Sequence, residues 1–80
     1  MPSPSDFVEG SVWYSPSYSG YVWLVLSSQM TSSLSLGKIE SYGTCLILGQ
    51  DHEREFSFPI GSVAQWDSLL AWCKSSVRIT

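Results

Sequence analysis

The run Asp51-His52-Glu53-Arg54-Glu55 holds the residues best suited to proton transfer or metal binding. An imidazole beside carboxylates offers a general base and oxygen ligands together. But His52 is the sole histidine, and neither cysteine stands at ligand spacing from it. The run therefore reads as a solvated polar turn, and no metal is expected. None of the 17 serines sits in a nucleophile elbow. Cys45 and Cys73 fall on faces expected to be buried, where a thiol stays protonated and unreactive. Both are read as free thiols, with a Cys45–Cys73 disulfide left open. There is no Gly-x-Gly-x-x-Gly and no Walker loop. No catalytic residue and no cofactor is expected, and the chain is not expected to be an enzyme.

Charge narrows the partners. Four basic residues (Lys38, Arg54, Lys74, Arg78) stand against seven acidic ones, for a net charge of −3. Four scattered cations cannot form a stripe of phosphate contacts, so nucleic acid and anionic membrane are expected to bind weakly or not at all. Seven carboxylates are too few to imitate a duplex. Residues 1–6 show neither a basic nor an apolar signal-peptide region. The longest apolar run, Tyr21 to Leu26, is far short of the roughly 20 residues a membrane helix needs. The expected compartment is the cytoplasm, which for a phage-encoded protein is the host's.

Eighty residues allow one domain, taken as residues 7–80 after a disordered lead-in over 1–6. Four Trp, four Tyr and three Phe supply its core. Strands are expected at 7–14, 21–28, 34–41 (with a bulge at Gly37), 44–48 and 54–58, where β-branched and aromatic residues cluster between turn residues. Residues 29–33 read as a connection. Ser62 with Gln65 three positions on forms a capping box. Val63, Trp66, Leu70 and Cys73 then recur at helical spacing, which predicts a helix from Ser62 to about Ser75. A short final strand is possible in the tail from Val77. The expected fold class is α+β: a four- to five-stranded antiparallel β-meander followed by one C-terminal α-helix packed on one sheet face.

Strand 21–26 is apolar on both faces, although a half-solvated antiparallel strand should alternate. If the first hairpin pairs Tyr14 with Tyr21, one face carries Val12, Tyr14, Tyr21, Trp23 and Val25. The other carries Trp13, Val22, Leu24 and Leu26. One helix covers one face, which leaves the other for a partner unless the sheet curls shut or the tail folds over it. Tyr14, Tyr21 and Trp23 are the candidate partner-binding residues. Trp72 joins them, lying about 120° from the apolar stripe of the expected helix. Its alternative is packing under a loop. A homodimer and a foreign protein both remain open as the partner.

Two resemblances bear on function. Residues 54–73, REFSFPIGSVAQWDSLLAWC, resemble the single-stranded-DNA-binding transcriptional coactivators through Gln65, Trp66 and Leu69. That resemblance implies a meander followed by one helix, a dimer made through the helix, and nucleic-acid binding on basic, aromatic sheets. Here the strands carry almost no Lys or Arg. In size, mild acidity and lack of a catalytic constellation, the chain also resembles the small acidic phage-encoded inhibitors of bacterial defence complexes, the anti-CRISPR type. That resemblance implies steric blocking of a host nucleoprotein complex. The leading expectation is thus a non-enzymatic protein-binding inhibitor. The alternatives are a coactivator-like dimer and a structural subunit of a larger assembly.

Overall fold

The computed structural model describes residues 2–33 and 38–80. Its strands are β1 (Val12–Ser15), β2 (Tyr21–Val25), β3 (Gln29–Ser33), β4 (Lys38–Gln50), β5 (Val63–Asp67) and β6 (Val77–Arg78). One short helix, α1 (Ala71–Lys74), lies between β5 and β6. All strand pairs are antiparallel, and the sheet curls into a half-barrel.

The long strand β4 organises the sheet. Along one edge it pairs first with β2, from Tyr21↔Gln50 to Val25↔Cys45, and then with β3, from Gln29↔Tyr42 to Ser33↔Lys38. The registers run on in sequence, so β2 and β3 are two halves of one arm broken at 26–28. The opposite edge of β4 takes β5, with Cys45 opposite Ala64 and Tyr42 opposite Asp67. Beyond β2 lie β1 and then β6. Gly43 stands where the arm breaks. A Cβ there would lie 1.9 Å from the Ser27 carbonyl oxygen, so only glycine admits this approach.

One face of the sheet holds the core. Trp13 and Ser15 of β1, Tyr21, Trp23 and Val25 of β2, Cys45 and Ile47 of β4, and Ala64 and Trp66 of β5 all point into it. Phe7 closes it from the N-terminal side, with ring centroids 4.5 Å from Trp13, 5.7 Å from Trp23 and 5.2 Å from Trp66. Trp72 of α1 closes the other end, 5.1 Å from Trp23 and 5.7 Å from Tyr21. Buried indole N–H groups need acceptors. Trp13 Nε1 donates to Ser11 Oγ and Trp23 Nε1 to Ser15 Oγ, each at 2.8 Å. Trp66 Nε1 is shared between the Ser27 and Thr44 carbonyls, at 3.1 Å each. Ser11 and Ser15 are thus polar fittings of an aromatic core.

The antiparallel sheet and the tail strand agree with the sequence reading; several elements do not. Val63–Asp67, expected to open a long helix, is a strand, and only Ala71–Lys74 is helical. Burial alternates along β5, with Ala64 and Trp66 inside and Val63 and Gln65 outside. Over five residues a strand and a helix can bury the same Trp. The unpaired edge of β4 decides for the strand, because pairing satisfies its backbone groups. The expected strand at 54–58 is a turn-containing loop, residues 29–33 are a strand, and the expected turn at Tyr42-Gly43 is inside β4. The Gly37 bulge lies outside the described residues. Within the expected disordered lead-in, Pro4–Asp6 form a 3-10 turn whose Pro4 carbonyl accepts a hydrogen bond from Ser41 Oγ at 2.7 Å.

Candidate interaction surface

The face opposite the core is set by the register. Val12 pairs with Leu24, Leu24 with Leu46, and Leu46 with Val63. The Ile79 amide donates to the Val12 carbonyl, which places Ile79 at the head of the same row. Five aliphatic side chains thus stand side by side, four on β1, β2, β4 and β5 and Ile79 just past the end of β6. At about 4.8 Å between strands the row is roughly 19 Å long. A second row holds Val77, Tyr14 and Val22, with Leu48 at the adjoining β4 irregularity. None of these side chains is charged. Among the described residues no element packs over them. Val63 is 62% exposed, Val77 61% and Ile79 56%. The next row, Leu26, Thr44 and Gln65, turns polar towards β5.

This surface is not the one expected from the sequence. Tyr14 pairs with Val22 and Ser15 with Tyr21, so the hairpin is one residue out from the Tyr14–Tyr21 pairing. Because side chains alternate, a one-residue slip moves every β1 side chain to the other face. Trp13 therefore joins Trp23 on the buried side, and Tyr14 separates from Tyr21. Tyr21 is 3% exposed and Trp23 0%, so the structure places both in the core and not on the uncovered face. Trp72 is half-buried against that core, the packed alternative noted for it. Tyr14 alone of the four candidates lies on the uncovered face. Sequence reasoning passed over Leu46, Leu48, Val63, Val77 and Ile79. The available signal was that TCLIL, like YVWLVL, is apolar on both faces.

The polar turn around His52 is tied to the 15–20 turn. Tyr14 Oη donates to the Asp51 carboxylate at 2.6 Å, and that bond holds the phenol above its ordinary pKa. Arg54 Nε donates to the Tyr18 carbonyl at 2.8 Å, and its guanidinium lies 5.3 Å from the Tyr18 ring. Ser19 and Ser57 share a hydroxyl–hydroxyl bond. Asp51 and Arg54 are thus occupied in fastening two turns. No group of three or more His, Cys, Asp or Glu among the described residues could hold a metal ion. Cys45 and Cys73 are free and buried; burial pushes their thiols up to about 11 and about 12. Among the described residues, no helix is long and apolar enough to cross a membrane.

No family model matches the chain, and neither does any curated protein or solved structure.

Proposed function

We propose that this protein is a non-enzymatic binding module whose working surface is the outer face built on Leu24 and Leu46, and that it inhibits a host nucleoprotein defence complex by covering part of it. The observation that carries the reading is the uncharged aliphatic row Ile79–Val12–Leu24–Leu46–Val63, left uncovered by the rest of the described chain. Contiguous apolar patches of this kind mark interaction sites. The core is complete without this face, because Phe7, Tyr21 and all four tryptophans pack on the other side. Size, acidity and the phage-inhibitor resemblance of the sequence supply the choice of partner class.

The test is a plating assay. Bacterial strains that each carry one nucleoprotein defence system express the protein and are challenged with a phage that the system restricts. Wild-type protein is expected to raise plating by at least tenfold in one of these strains. Leu24→Glu, checked by circular dichroism for an unchanged fold, is expected to abolish the effect. No rise in any strain sinks the inhibitor reading. Equal activity of a folded Leu24→Glu protein sinks the assignment of the face.

A further inference from the structure

A second surface lies at the free edge of β5, where the outer row ends at Val63. The hydrogen bonds at its ends fix which way its backbone points. The Ile47 amide donates to the Ser62 carbonyl at 3.0 Å, and the Ser68 amide to the Ser41 carbonyl at 2.9 Å. Hydrogen-bonded pairs alternate along an antiparallel ladder. Ala64 and Trp66 therefore bond to β4, while Val63, Gln65 and Asp67 turn their amides and carbonyls outward. Asp67 is occupied, with its carbonyl accepting from the Leu70 amide and its amide facing the Cys73 sulfur. Among the described residues, the outward N–H and C=O of Val63 and Gln65 have no partner. Four strand-forming groups are left in a row. Within Val63–Asp67 the edge bears neither Lys, Pro nor a bulge; a glycine bulge, Gly61-Ser62 opposite Ile47, stands just before it. A groove lined by Phe58, Gln65, Trp66 and Leu70 opens beside it and reaches across Gly43 of β4 to Ser27.

We propose that this edge pairs with the same edge of a second copy, antiparallel about a two-fold axis at Ala64. That register sets Val63 of each copy against Gln65 of the other. All four free groups of one copy then meet the four of its mate. The axis falls on a non-hydrogen-bonded pair, where Cα atoms approach to about 4.5 Å, and the residue there is alanine. Each copy carries a net charge of −3, so the pairing must keep acids apart. Asp67 falls opposite Gly61, so no acid meets an acid. Phe58 precedes β5 and Leu70 follows it, so antiparallel pairing brings Phe58 of one copy towards Leu70 of the other. A strand pair of this length, with those two contacts, sits at the low end of interface size. The association is therefore concentration-dependent rather than obligate. It would lay the two outer faces side by side on one continuous sheet.

Sedimentation equilibrium from micromolar to millimolar protein tests this. The wild-type mass is expected to rise from monomer to twice that value. Gln65→Pro removes an amide that the β4 ladder does not use, and is expected to remain monomeric with its circular dichroism intact. A second arm does not depend on that variant folding. The double variant Val63→Cys/Gln65→Cys puts the two cysteines at a facing pair about 5.5 Å apart, inside disulfide range. Mild oxidation is expected to yield a covalent dimer, and either single variant far less of it. A wild-type protein that stays monomeric at millimolar concentration overturns the proposal. So does a dimer that survives Gln65→Pro but is lost in Leu24→Glu, because the copies would then meet through the outer face. That second outcome would leave the edge proposal refuted while keeping the outer face as an interaction surface.

Discussion

Replacing Trp23 with alanine tests the core where its two aromatic groups join. Trp23 lies between Phe7, Trp13 and Trp66 on one side and Trp72 on the other, and it is fully buried. Truncating a buried Trp to Ala removes about 3–5 kcal/mol. The change also strips Ser15 Oγ, itself buried, of the indole N–H that bonds to it at 2.8 Å. Leaving such a group unpaired costs a further ~1–3 kcal/mol. A domain of this length has a total stability of roughly 4–12 kcal/mol. Trp23→Ala should therefore leave the chain largely unfolded or barely folded. Urea titration followed by far-UV circular dichroism measures this. With a slope near 1 kcal/mol per molar, the midpoint should fall by at least about 3 M. Trp23→Phe, which keeps most of the ring volume, should lose clearly less. A Trp23→Ala midpoint within about 1 M of wild type would mean that Trp23 is not in the core. The buried aromatic face described above would then be wrong.

Gly43→Ala should destabilise by about 2 kcal/mol or more, because its Cβ would meet the Ser27 carbonyl, a backbone atom that cannot swing aside; a melting temperature equal to wild type would contradict that close approach. Cys45 and Cys73 should resist a thiol reagent in the native state and react only on unfolding. Their folded pKa values, about 11 and about 12, lie above the ordinary value of 9.0, so their contribution to stability is whole below pH 9 and lost as pH rises through 11 to 12. The urea midpoint should accordingly fall above pH 9, and less steeply in Cys73→Ala.

The strand Tyr21–Val25, read as 21–28, was legible because the apolar run YVWLVL, bounded by Gly20 and Ser27, has only one economical reading. The final strand at Val77 was legible for a similar reason of composition. The helix over 62–75 was not. Its capping box and i, i+3, i+7 spacing are genuine local signals, but they compete with a five-residue alternation that buries the same Trp66. The choice rests on the free edge of β4, which no local window contains. The long β4 was likewise cut in two at Gly43, since glycine in a strand pattern looks like a turn. Its actual reason is the Ser27 carbonyl, 16 residues earlier in the chain. Phe7 was read only as the start of a strand, yet it touches three of the four tryptophans.

By itself the sequence determined that the chain has aromatics enough for a core and only four cations against seven acids. It also determined that strand 21–26 is apolar on both faces, so that two surfaces must be buried or offered. Only the tertiary structure decided which face is which. Strand side chains alternate with a period of two, so the hairpin register carries that information, and the register is set by pairings with β4 and β6 as much as by the turn. One residue of register placed Trp13 and Trp23 together in the core and left the aliphatic face of Val12, Leu24, Leu46 and Val63 outside.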